Sequence, residues 1–171
     1  MRWHGLGMFG AGAVMLLGMV TAPPALAQGD TVVKAAEVQK LLPDAVWYKG
    51  QSAPAQKRNS GGVKFADGSF VLATLVDNSG YASDVAAKYQ AYFVTELAIK
   101  IGGQSLPAGV YGVGFITDNK FVVTDVGGHD VLTASSSTDE EMKRPMPLQV
   151  TADPGGGFRL YAGRRYVTLS K

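Results

Sequence analysis

Val110-Tyr111-Gly112-Val113-Gly114-Phe115-Ile116-Thr117-Asp118-Asn119-Lys120-Phe121-Val122-Val123-Thr124-Asp125-Val126 decides the fold class of this chain. Two runs rich in β-branched and aromatic residues meet at Asp118-Asn119, the side-chain types other than glycine best able to adopt left-handed backbone. The pattern predicts a hairpin that pairs residues 110–117 with 120–126. Side chains alternate along a strand, so Tyr111, Val113 and Phe115 share one face, and Val110, Gly112, Gly114 and Ile116 share the other. The small pair predicts a bend or a tight approach of one sheet to another.

The same alternation of short β-type runs and turn residues extends in both directions from this hairpin. Strands are predicted at 46–48, 62–65, 69–76, 89–95, 97–101, 130–134, 148–152, 158–162 and 166–170. Between them stand Ala66-Asp67-Gly68, Asp77-Asn78-Ser79-Gly80, Gly102-Gly103, Gly127-Gly128 and Asp153-Pro154-Gly155-Gly156-Gly157, residues suited to positive φ and Asx turns. A second hairpin brackets the Asp153 loop, with Phe158, Leu160 and Ala162 on one face and Arg159 and Tyr161 on the other. Regular strands separated by turns read as an all-β fold, an antiparallel β-sandwich or a closed barrel. Residues 30–42 form the clearest helical segment, capped by Asp30 or Thr31 and stopped by Pro43. A helical turn is expected to feed the strand within 82–95, and Thr138 with Glu141 forms a capping box for another single turn. Residues 51–62 read as an exposed loop.

Residues 1–27 read as a cleaved signal peptide. Arg2 and His4 open it, an apolar core runs through Ala11 to Val20, and Ala25-Leu26-Ala27 fits the small-x-small cleavage pattern. The leader's prolines and glycines oppose the alternative of a retained anchor, so no membrane span is expected after cleavage. Residues 28–45 then form the short N-terminal helix and linker, and 46–171 a single antiparallel β domain. A periplasmic or secreted location follows.

Removing the leader leaves 144 residues with 15 Lys and Arg against 14 Asp and Glu, a balance that gives no reason to expect nucleic-acid binding. The chain has no cysteine, and His129 is the one histidine after residue 27, so neither a thiolate site nor a His-rich metal centre is expected. No metal or cofactor is expected. About 144 residues bury enough surface to hold a fold without disulfides.

Asp125-Val126-Gly127-Gly128-His129-Asp130 is the most site-like cluster, since a histidine between carboxylates has the parts of a base with an orienting acid. A glycine-made turn with polar tips accounts for the same residues. The neighbouring Ser135-Ser136-Ser137 lacks a nucleophile elbow, so no catalytic residue is assigned and hydrolysis at His129 is the third-ranked reading. The glycine clusters lack a following Lys-Ser/Thr or a helix, which excludes phosphate-loop and dinucleotide motifs. Residues 142–171 carry six Lys and Arg against Asp153 alone. Arg159, Arg164, Arg165 and Lys171 therefore form a candidate face for an anionic partner, unless they lie against the acidic part of the same fold.

Trp47 at the start of the β region resembles the Gly-x-Trp element of lipocalin-like barrels, with Ala45 where the glycine would stand. That resemblance implies an apolar cavity for a small hydrophobic ligand, lined by Trp47, Tyr111, Phe115 and Phe121. The segment Ile101-Gly102-Gly103-Gln104-Ser105-Leu106-Pro107-Ala108-Gly109-Val110-Tyr111 resembles the Gly-x-x-Leu-Pro-Ala-Gly-x-Tyr element of uncharacterised exported bacterial β-sandwich proteins, which implies architecture and no activity. Together these readings favour an exported, non-enzymatic binding or structural module that engages an envelope protein or polymer. A carrier of a small hydrophobic ligand is the alternative.

Overall fold

The computed structural model describes residues 29–171; the expected signal peptide lies outside them. The elements follow as β1 (Thr31–Val33), α1 (Ala35–Leu41), β2 (Ala45–Tyr48), β3 (Gln51–Lys64), β4 (Phe70–Val76), α2 (Ser83–Lys88) and β5 (Ala91–Thr95). Then come β6 (Ile99–Ile101), β7 (Gln104–Leu106), β8 (Gly109–Ile116), β9 (Lys120–Thr124), β10 (Asp130–Ser135) and β11 (Ser137–Thr138). β12 (Met146–Ala152), β13 (Phe158–Gly163) and β14 (Arg165–Ser170) complete the chain.

Two antiparallel sheets stack as a sandwich. The first runs β1-β3-β4-β5-β8-β9-β10 with β2 also on β3, and the second runs β12-β13-β14-β6-β7 with β11 also on β14. Among the described residues no strand ladder joins the two sheets, so the sandwich and not the closed barrel is realised. At one side the open edges are guarded by a side chain: Gln104 Nε2 donates to the Thr133 carbonyl at 2.7 Å, tying β7 to β10.

The alternation read from the sequence sets the core. Val113 and Phe115 on β8 and Phe121 and Val123 on β9 point inward, where they meet Leu148, Leu160 and their neighbours from the second sheet. Phe93 and Phe121 are fully buried. The β8–β9 turn has φ of 58° at Asp118 and 52° at Asn119, the two left-handed residues that match a hairpin's twist. Phe115 pairs across it with Phe121. The hairpin around Asp153 also forms, with Ala152 opposite Phe158.

Several expectations change. The helix predicted over 30–42 begins at Ala35, because Thr31–Val33 pair with β3 as a strand. Asp30 does not cap it; its Oδ1 accepts from Ala66 N–H at 2.9 Å. Pairing with β3 gives Thr31–Val33 a backbone ladder and buries Val33 against Leu72 and Val38. Residues 51–62, read as a loop, belong to β3. Their polar composition reflects exposure on one side, while β1, β2 and β4 supply ladders that local propensity did not predict. The capping box at Thr138 and Glu141 is not formed either. Ser137 and Thr138 pair with β14, and Asp139 Oδ1 instead accepts from Glu141 N–H in a tight turn. Gln104–Leu106, unassigned from sequence, is a short strand on β6. The helical turn before β5 is present as α2.

The outer face of the first sheet is coated rather than bare. Val38 and Leu42 pack over Val33 and Leu72, holding α1, a seven-residue helix with no side-chain cap, by burial. The β2–β3 hairpin and α2 cover the other half through Val46, Tyr48, Ala53, Val76 and Tyr89. This coat explains Gly112 and Gly114: of the bend or tight sheet-to-sheet approach expected there, the structure shows a close approach, but to the coat and not to the second sheet. A Cβ on Gly114 would lie 2.5 Å from the Lys88 carbonyl oxygen of α2, and one on Gly112 would lie 2.7 Å from the Tyr48 and Tyr89 rings.

Candidate functional site

Between the sheets the packing leaves no room for a ligand. The interior void beside Leu75, Val113, Phe115 and Leu160 measures about 10 Å³, no more than about one water. Tyr111, Phe115 and Phe121 are core residues, but Trp47 is 68% exposed on the outward side of β2, because Val46 and Tyr48 take the inward positions. The four residues expected to line a cavity therefore do not come together. The structure offers the lipocalin-like reading neither its barrel nor its pocket.

The histidine cluster is a turn. His129 donates its backbone N–H to Asp125 Oδ1 at 2.9 Å, and its Nδ1 lies 3.0 Å from Asp125 Oδ2. These contacts, led by the backbone one, hold the Asp125 carboxyl below its usual range. Asp130 is engaged by Lys88 Nζ at 2.7 Å. Ser136, the buried member of the serine run, stands within reach of the Arg165 guanidinium at 3.4 Å and not of His129. Among the described residues no three His, Cys, Asp or Glu side chains converge as a metal site.

The basic residues of the C-terminal hairpin are occupied within the fold. Arg159 pairs with Asp153 Oδ1 at 2.8 Å and lies over the Tyr166 ring at 4.4 Å. Tyr161, next along the strand, donates from its hydroxyl to Asp139 Oδ2 at 3.1 Å and is buried. Arg164 faces Glu140 at 3.8 Å, and Lys171 bridges to Asp67 at 2.7 Å, which holds the Asp67 carboxyl at about 2. Arg165 reaches across the end of the sandwich, donating to the carbonyls of Phe115 at 3.1 Å, Ile116, and Lys120 at 3.3 Å. Asp153 belongs to the segment itself, while Glu140 and Asp67 lie outside residues 142–171, so the positive excess of that segment is offset in part by acids from elsewhere in the chain. The four cations are structural partners before they are a face for anything else.

A second aromatic cluster fastens the coat. The Tyr48 and Tyr89 rings stack at 3.8 Å, with Tyr81 edge-on to both. Tyr81 donates to the carbonyls of Tyr48 and Gln51, and Tyr48 shares a 2.8 Å hydrogen bond with Thr124. The Tyr89 hydroxyl is buried without a partner among the described residues, and burial pushes its pKa well above that of a free phenol. It stays neutral in the working range and serves packing.

A polar groove lies on the surface where α1 meets β3. The ladder between β3 and β4 steps from Gln56–Leu75 to Ser60–Thr74, so Lys57, Arg58 and Asn59 are extra residues without opposite partners. Ser60 donates to the Lys57 carbonyl at 2.6 Å and Asn59 Nδ2 to Gln56 Oε1 at 3.3 Å, closing the bulge on itself. Bulges re-aim side chains away from the regular alternation. Here they aim Gln56, Lys57, Arg58 and Asn59 toward Gln39 of α1, around an open groove of about 430 Å³. Lys57 is tied at the rim by Asp44 at 2.5 Å, which holds that carboxyl low through the hydrogen bond and its charge. Arg58 makes no hydrogen bond or ion pair among the described residues.

No protein-family profile matches the chain, and neither does any curated protein or solved structure. The groove therefore stands on its own geometry.

Sequence reasoning missed it because residues 51–62 read as a loop. The signal lay in four consecutive polar residues, Gln56-Lys57-Arg58-Asn59, set between Ala53-Pro54-Ala55 and Ser60-Gly61-Gly62-Val63. An uninterrupted polar run inside a strand breaks the period of two, and a bulge is the way a sheet absorbs it.

Proposed function

We propose that this protein is an exported, non-enzymatic binding module of the bacterial envelope, and that it engages an envelope polymer through the bulge of β3. The leader pattern of residues 1–27 supports export. The observation that carries the binding reading is the three-residue insertion Lys57–Asn59. It interrupts a long ladder, contributes nothing to the core, and turns a row of long polar side chains onto one groove. The filled interior and the internal ion pairs of the C-terminal hairpin support a surface function at this place rather than in a cavity or on that hairpin.

The test is co-sedimentation of the purified chain with insoluble envelope polymer from the producing bacterium. A variant lacking residues 57–59, which restores a regular β3–β4 ladder, is compared with Arg164→Ala on the C-terminal hairpin. Loss of sedimentation in the first variant and its retention in the second is expected. The reverse pattern, or no sedimentation of the unaltered chain, refutes the proposal.

A further inference from the structure

Resting on that reading, we infer that the groove selects an anionic polysaccharide, a chain in which sparse carboxylate or phosphate groups alternate with many hydroxyls. The donor set supports this chemistry. Arg58 brings a planar fork of N–H donors that matches the two oxygens of a carboxylate or phosphate. Its guanidinium is exposed and has no partner among the described residues. Around it the lining is Gln39, Gln56, Lys57 and Asn59 with the methyl of Ala55, and it contains no carboxylate.

Two acids of the flanking segments are already engaged. Asp44 is bound to Lys57, and the Asp77 carboxylate accepts from Ser79 N–H and Oγ–H. Glu37 stands two residues before Gln39 on α1, outside the lining. One free cation beside several amides fits a ligand of low charge density. A nucleic acid, with a phosphate at every nucleotide, calls for a run of cations that the groove lacks. Amides recognise hydroxyls as donor and acceptor together, and the remaining amide hydrogens of Gln39 and Asn59 face that task.

Lys57 holds a charge in reserve. Its ammonium is shared between Asp44 and the Leu42 carbonyl at 3.4 Å, so removal of Asp44 frees it for the ligand.

The experiment measures binding of the purified full chain to three dextrans of equal length: unmodified, carboxymethylated and phosphorylated. At least one charged dextran is expected to bind about tenfold or more tightly than the unmodified one, and the comparison of the two charged arms tells carboxylate from phosphate. Arg58→Ala is expected to weaken that binding about tenfold, as loss of a charge-assisted hydrogen-bond pair requires. Arg58→Lys should recover part of it. Asp44→Ala should tighten binding, a gain that misfolding cannot produce. Equal affinity for all three dextrans, unchanged affinity in Arg58→Ala, or weakened binding in Asp44→Ala overturns the inference. If the chain still sediments with envelope polymer in a manner that depends on residues 57–59, the binding reading survives and only the anionic class falls.

Discussion

Arg165→Ala tests whether the basic end of the chain is a structural clamp or a recognition face. The guanidinium stands over the Phe115 ring at 5.4 Å and donates to three main-chain carbonyls around the β8–β9 hairpin, which belongs to the opposite sheet. Hydrogen bonds to charged groups contribute about 1.5–3 kcal/mol each when buried. The Phe115 and Ile116 carbonyls are half-buried here and the Lys120 contact is exposed, so solvent screens part of that value. A total loss of about 2–4 kcal/mol is expected, read as a drop of roughly 6–12 °C in the midpoint of thermal unfolding for a domain of this size. Urea unfolding should show a lower midpoint with an unchanged slope. Arg165→Lys keeps the charge but replaces a planar fork by a point donor, so it should recover less than half of the loss. A destabilisation below about 0.5 kcal/mol in Arg165→Ala, or full rescue by lysine, would refute the clamp.

Four further outcomes follow from the same geometry. Trp47 is the single tryptophan after residue 27, so a chain expressed from Gln28 onward should show the red-shifted emission of hydrated indole and ready quenching by acrylamide; a blue-shifted, protected indole contradicts its place on β2. Tyr81→Phe removes both hydroxyl bonds to the β2–β3 hairpin and should cost about 1–2 kcal/mol in urea unfolding, with faster amide exchange confined to that hairpin. Asp67 has a depressed carboxyl, chiefly from the Lys171 hydrogen bond, so its contribution is present above the unfolded value near 3.8 and fades as pH falls toward about 2. The stability gap between the unaltered chain and Lys171→Ala should therefore close over that window, and a gap that widens in acid would contradict the bridge. His129→Ala should change stability by less than about 0.5 kcal/mol and leave zinc titrations featureless, since the polar contacts of this exposed ring among the described residues are with Asp125.

The parts of the fold legible in the sequence are those that local chemistry controls. Asp118-Asn119 could be read as a left-handed turn because those side chains tolerate positive φ wherever they stand, and Tyr111, Val113 and Phe115 could be placed inward by the pleat alone. The candidate site was less legible. Lys57, Arg58 and Asn59 have strand-breaking composition, and only the β2, β4 and α1 neighbours turn that run into a bulge with a groove.

Charge shows the same division at longer range. The tally of cations near the C-terminus was correct as arithmetic and misleading as geography, since Lys171 finds Asp67 across 104 residues of chain and Arg165 finds the β8–β9 carbonyls across nearly 50. A linear sequence determines backbone preferences, alternation and the inventory of charges, because each depends on a residue and its immediate neighbours. Which strand Thr31–Val33 joins, which face α1 and α2 cover, and which cations stay free are settled by packing, where segments distant along the chain compete to bury apolar surface and satisfy one another's polar groups.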